Sequence, residues 1–184
     1  MYMRCCIVLL FAAIAMLLPL PFSGAGGGAP KPGMLLTVNS TWQQLARGDT
    51  TWQAYCRYVS HISGVPFHRV AAMWAYETDW GRSRLWRKHR NPAGIRHNTH
   101  ARKQGATGVW SSDEGGTVKA SYPSLVASAD NYAWVLRLPR YQPCHCLKEE
   151  LAFWRCMRRA GWFSGPHVHA RAKLSLNMKR QSQQ

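Results

Sequence analysis

Carboxylates are scarce in this chain. Eight Asp and Glu stand against 24 Lys and Arg, which gives a formal net charge of +16 over 184 residues. Such a balance excludes an acidic, self-solvating polymer and implies an anionic partner: cell-wall polymer, nucleic acid or an acidic membrane surface. The scarcity also narrows any acid–base chemistry to Asp49, Glu77, Asp79, Asp113, Glu114, Asp130, Glu149 and Glu150.

Long apolar runs are missing after the first 25 residues. Cys5 to Leu20 is almost wholly apolar, but at about 16 residues it is short of the roughly 20 that a spanning helix needs. Arg4 precedes it and Ser23-Gly24-Ala25 follows with small residues, the pattern of a secretory signal. Residues 1–25 are therefore expected to be a signal peptide, and the protein to be exported to a periplasmic or extracellular site. The membrane becomes a partner only if that segment stays uncleaved. Internal repeats and nucleic-acid docking motifs are absent as well, so nucleic acid is not an expected partner.

Cysteine is sparse in the mature part. With Cys5 and Cys6 in the signal, Cys56, Cys144, Cys146 and Cys156 remain, and export permits disulfides. One or two bridges are expected, within the Cys144–Cys156 region or from it to Cys56; four cysteines leave the pairing open. Cys144-His145-Cys146 with Cys156 matches no common zinc spacing, and His97, His100, His167 and His169 form no metal signature. Neither a metal nor a cofactor is expected.

What is present is a helical chain with one interruption. Residues 26–38, rich in Gly and Pro, read as a flexible linker. Residues 39–177 read as a single monomeric domain, and 178–184 as a polar, disordered tail. Asp49, Thr50 or Thr51 caps a helix running to about Ile62, with Trp52, Tyr55, Cys56 and Val59 at helical spacing. Gly64-Val65-Pro66 breaks the chain, and the next helix carries Phe67, Val70, Ala71 and Trp74 to an end near Trp80-Gly81. From Arg82 to about Tyr122 helical periodicity is lost. Gly108–Ser111 and Thr117–Ser121 read as strands around a Ser112-Asp113-Glu114-Gly115-Gly116 turn. Helices follow from Pro123, with Leu125, Ala129, Tyr132, Ala133 and Leu136 on one face, then over about Leu147–Arg159 and His167–Asn177. The basic run Arg82, Arg84, Arg87, Lys88 and Arg90 is either a solvated face or a grip on an anionic polymer.

One carboxylate is out of place. Trp74, Met73 and Val70 lie three, four and seven residues before Glu77, so Glu77 sits on or beside an apolar helical stripe. Partial desolvation there favours the protonated form and suits a general acid. The competing reading is a helix-end Glu paired with Arg82 or Arg84. Asp79 points about 200° around the helix from Glu77 and reads as a helix-end or arginine partner.

Several stretches together resemble a known family. Gly64-Val65-Pro66 with Glu77-Thr78-Asp79-Trp80-Gly81-Arg82-Ser83 resembles the Glu-Ser-x-Trp-Gly-x-Ser signature of the family-73 glycoside hydrolases, the peptidoglycan-cleaving endo-β-N-acetylglucosaminidases. Asn91-Pro92-Ala93-Gly94-Ile95-Arg96 is similar to their Asn-x-Phe-Gly-Ile-Lys. Tyr122–Tyr132 with Leu138-Pro139-Arg140-Tyr141, and Ala160-Gly161-Trp162-Phe163-Ser164 with Ala170–Leu174, follow in the family's order. The resemblance covers about residues 52–176. It implies an α+β, mainly α, lysozyme-like fold, with a helical lobe and a small β-hairpin lobe across a glycan groove. It makes Glu77 the general acid, and peptidoglycan strands, with other anionic wall polymers, the partners. Thr78, Ala93 and Trp162 stand where the family usually has Ser, Phe and Tyr.

A second catalytic group is expected from Glu114 or Asp113 in the hairpin turn, or from the substrate's acetamido group. Trp80, Trp110, Tyr122, Tyr141 and Trp162 are expected to line the groove, and Asn91 and Arg96 to meet substrate amides or to hold their loop. Trp74 and Tyr132 are assigned to the core. The same fold also admits a lytic transglycosylase or a muramidase, and the departures admit a weakly active or inactive cationic wall-binding module.

Overall fold

Two helices form the base on which Glu77 is mounted. In the computed structural model, which describes residues 51–112 and 116–183, α1 spans Trp52–Ser63 and α2 spans Phe67–Glu77. The signal and linker expected before residue 39, and the candidate carboxylates Asp113 and Glu114, lie outside the described residues. Of the three candidate caps, Thr51 opens α1, its hydroxyl accepting from the Ala54 amide. Gly64 closes it in the left-handed conformation at φ 76°, which only glycine adopts at no steric cost. Pro66 then starts α2 with no amide to leave unsatisfied.

α2 stops earlier than its apolar pattern suggests. It ends at Glu77, three residues short of the expected Trp80-Gly81. Thr78 Oγ1 donates to the Trp74 carbonyl (2.7 Å) and accepts from the Gly81 amide (2.9 Å), so one hydroxyl bonds both sides of the helix end. Asp79, Trp80 and Gly81 then all have positive φ and turn the chain back. Gly81 is set against the Trp74 ring, where a Cβ would come within 3.4 Å.

The stretch from Arg82 to Tyr122 holds more helix than its sequence suggested: α3 over Arg84–His89 and α4 over Thr99–Lys103, each with a side-chain N-cap, Ser83 and Asn98. Both are too short for a hydrophobic period to show. β1 (Thr107–Ser111) and β2 (Thr117–Ser121) pair antiparallel in the register Thr107↔Ser121 to Ser111↔Thr117. Residues 95–97 lie along the other edge of β2, bonded through His97 N to Val118 O and Ala120 N to Ile95 O.

The second half covers and locks the first. α5 (Leu125–Leu136) packs on α1, and α6 (Gln142–His145) leads to α7 (Glu150–Arg159). The Cys144–Cys156 disulfide joins α6 to α7, so neither sulfur is available as a metal ligand; Cys56 is free and buried, Cys146 free and exposed. α8 runs from Val168 to Gln181 against α2 and α7. It continues past Asn177 into the expected tail because Met178 is buried on its inward face. Tyr55, Val59, Val70, Met73, Tyr132, Phe153, Trp154 and Met157 fill the main core, with Trp74 and Tyr132 buried as expected. None of the helices among the described residues is long and apolar enough to cross a membrane.

Candidate active site

Glu77 opens into a cleft of about 690 Å3 between the helices and the hairpin side. It is 23% exposed and belongs to the last turn of α2, where the Thr78 hydroxyl bonds fix its backbone. The other walls come from distant parts of the chain: Ala93 to Arg96 beside β2, Lys119 from β2, Arg140 and Tyr141 after α5, and residues 161–165 between α7 and α8. Among the described residues that line it, Glu77 is the one carboxylate, facing Arg96, Lys119, Arg140 and Arg171.

The partner of Glu77 is neither Arg82 nor Arg84. Arg82 binds Asp79 instead, at 2.7 and 3.0 Å, and this guanidinium draws the Asp79 carboxyl below its usual range. Glu77 Oε1 lies 2.8 Å from Nη1 of Arg171 on α8. Arg171 is 4% exposed, and a guanidinium so buried requires an anion or aromatic faces. It has both: Tyr76 and Phe163 stack on it at 3.8 and 4.1 Å.

Arg171 was not singled out from the sequence, yet its signal was there. Val168, Ala172, Ser175 and Met178 form the buried stripe of α8, and Arg171 is the charge lying on it. The argument that exposes Glu77 on α2 exposes Arg171 on α8.

Aromatic residues form part of the cleft wall. Trp162 stacks on Tyr132 (5.6 Å, 24°) and meets Tyr141 edge-on (5.4 Å, 78°). Tyr132 is fully buried, and burial first, then nearby groups including Glu77, hold its hydroxyl well above the usual tyrosine range, so it stays neutral. Tyr141 is likewise raised by burial, with Arg140 opposing.

The expected site residues divide into two groups. Glu77, Arg96, Tyr141 and Trp162 come together at the cleft. Trp80, 54% exposed in the left-handed turn, and Trp110, 68% exposed on β1 with Gly116 against its ring, are not among the lining residues. Tyr122 is buried in the smaller core under the hairpin, with its hydroxyl taken by Asn131. Asn91 is buried too. Its Nδ2 donates to the carbonyls of Ile95 (2.8 Å) and Ala120 (2.9 Å), and its Oδ1 accepts from the Ile95 amide (2.8 Å). Of its two expected roles, these bonds fit holding the loop, and through it the cleft wall at Gly94–Arg96.

This arrangement has known relatives. Residues 53–173 match the glucosaminidase family model, described as mannosyl-glycoprotein endo-beta-N-acetylglucosaminidase. The chain belongs to the glucosaminidase family. It is thus a member of a family of glycoside hydrolases, in agreement with the four ordered motifs. Solved structures share its fold. A peptidoglycan hydrolase from Sphingomonas sp. A1 is 20% identical, with a TM-score of 0.57 over 71% of this chain and 88% of that one. The glycoside hydrolase domain of FlgJ from Salmonella typhimurium is 21% identical, with a TM-score of 0.56 over 78% and 91%. The catalytic domain of the autolysin Auto from Listeria monocytogenes is 18% identical, with a TM-score of 0.53 over 85% and 90%. No curated protein sequence matches the chain significantly. The lysozyme-like α+β architecture expected from the sequence is the one observed.

Proposed function

We propose that this protein is an exported peptidoglycan hydrolase that cleaves the glycan strand after N-acetylglucosamine, with Glu77 as proton donor. The observation that carries the reading is the position of Glu77. It is the one carboxylate among the described lining residues of a cleft of about 690 Å3, in a chain of the glucosaminidase family. The peptidoglycan hydrolases and the autolysin that share its fold support the wall polymer as substrate.

In the proposed reaction Glu77 gives its proton to the glycosidic oxygen as the C–O bond breaks, and positive charge develops at the anomeric carbon. Water then adds its oxygen to that carbon and its proton returns to the Glu77 carboxylate, which completes the cycle. The anomeric centre is supported by a second carboxylate, Glu114 or Asp113, or by the substrate's own acetamido oxygen. Trp162, Tyr141 and Phe163 offer apolar faces to the sugar rings, and Arg96 and Arg140 offer donors to their carbonyls and carboxylates.

The test is to digest purified peptidoglycan with the wild type and Glu77→Gln and to identify the fragments by mass spectrometry. Fragments with reducing-end N-acetylglucosamine that vanish in the variant are the expected result. Anhydro ends would identify a lytic transglycosylase instead. Intact glycan that still sediments with the protein would leave only a wall-binding module.

A further inference from the structure

The wall of the cleft has a second side. Gly161, Trp162, Phe163 and Ser164 line the cleft beside Glu77, and the same four residues, with Arg96 and Arg158, line an adjoining cavity of about 530 Å3. Arg96 borders both. Arg158 also borders a further hollow with Arg155 and Arg159, so a basic surface continues away from the cleft. Arg155, Arg158 and Arg159 lie in the second half of α7, while Arg96 lies beside β2.

These arginines have no counter-ion among the described residues, and the described acids lie elsewhere. Glu77 pairs with Arg171, Asp79 with Arg82, and Glu150 with Arg69 and His68. Asp130 accepts from the Tyr58 hydroxyl, and Glu149 stands at the opposite, N-terminal end of α7. Cations in the last turn of a helix are favoured by its dipole, which accounts for Arg158 and Arg159 taken alone. It does not account for Arg96, from another element, facing the same cavity next to the cleft.

A guanidinium pair calls for a planar anion, and carboxylates fit it best among the groups a wall glycan carries. On the reading of the cleft given above, every second sugar of the strand bears a peptide stem ending in carboxylates. A strand held at Glu77 must let its stems leave over the rim. We infer that the Arg96–Arg158 cavity is a subsite for the carboxylates of the peptide stem, and that it makes the enzyme selective for stem-bearing over stripped glycan. This inference rests on the proposed substrate.

The experiment compares kcat/KM on soluble stem-bearing strands with that on the same strands stripped by an amidase. The amidase hydrolyses the amide between lactyl group and stem, which frees a carboxylate beside each stripped sugar ring, so a preference for stem-bearing strands reports the carboxylates of the stem and not negative charge alone. The wild type is expected to prefer stem-bearing strands by roughly five- to tenfold, less at high salt, as exposed charge-assisted contacts predict. Arg158→Glu should abolish the preference while leaving the rate on stripped strands unchanged, and Arg158→Lys should keep part of it. Isothermal titration of Glu77→Gln with the two soluble polymers measures the same preference without turnover. An undiminished preference in Arg158→Glu, or none in the wild type, would overturn the subsite and leave the hydrolase standing. Stem-dependent binding by a wild type that cuts neither polymer would retain the subsite and sink the hydrolase.

Discussion

Glu77 Oε1 and Arg171 Nη1 are 2.8 Å apart, each the charge on an otherwise buried helical stripe. The pair fastens α8 to α2 at the place where the cleft opens, and it sets both the position and the electrostatic surroundings of the proposed acid.

Removing either charge should therefore cost stability as well as function. Breaking a buried pair costs about 3–5 kcal/mol when one partner goes. Glu77 is partly exposed, so about 1–3 kcal/mol is expected for Glu77→Gln and for Arg171→Met. The double variant should lose less than the sum. Urea midpoints of the four proteins give the coupling energy directly; simple additivity would show that the contact contributes nothing.

Acid should weaken the fold through Glu150. This buried carboxylate is pushed up by desolvation. It is pulled down more strongly by His68 (3.0 Å), Ser175 (2.7 Å) and Arg69 (2.9 Å), to about 2 from an ordinary 4.5. Because the folded value is the lower one, the stabilisation is fully present above about pH 5. It is lost as pH falls from about 4.5 through about 2, and amounts to about 3 kcal/mol. Unfolding free energies at pH 7 and pH 3 should differ more in the wild type than in Glu150→Gln. Equal losses would assign the acid sensitivity elsewhere.

The cysteines should be chemically distinct. Iodoacetamide should label Cys146 in the folded protein and spare Cys56, which is buried and whose thiol is raised by burial. Replacing Cys144 and Cys156 by Ser should lower stability by about 2–3 kcal/mol, as expected for a bridge closing a short loop. Peptide mapping that finds Cys56 or Cys146 in a disulfide would contradict the pairing.

Asn91→Ala removes three buried hydrogen bonds and leaves the Ile95 amide and the Ala120 carbonyl to find other partners, while the Ile95 carbonyl keeps the Ala120 amide. A loss of about 2–4 kcal/mol is expected. If the loop it holds forms the cleft wall, kcat/KM should also fall at temperatures where the variant is fully folded. A thermal melt indistinguishable from wild type would rule out this role.

Much of this was legible in the residues. Caps, breakers and periodicity placed the main helices and the two strands, because those signals are local: the left-handed turn at Gly64 is open to glycine without steric cost, and alternating faces repeat at fixed spacing. Glu77 was visible for the same reason, as a carboxylate on an apolar stripe that also completes an ordered set of motifs. What the sequence could not decide was partnership. The competing reading of Glu77 pairs it with Arg82 or Arg84, a few residues on in the chain, yet the left-handed turn at Asp79–Gly81 gives Arg82 to Asp79. α8, nearly a hundred residues on, brings Arg171 to Glu77 instead. Aromatic residues pose the same problem: composition marks Trp80, Trp110, Tyr122, Tyr141 and Trp162 alike, and only packing separates the two at the cleft from the others. Local chemistry fixes where a helix ends and which of its faces is apolar. Which charge meets which across the cleft depends on contacts between segments far apart in sequence, and those exist only once the chain has folded.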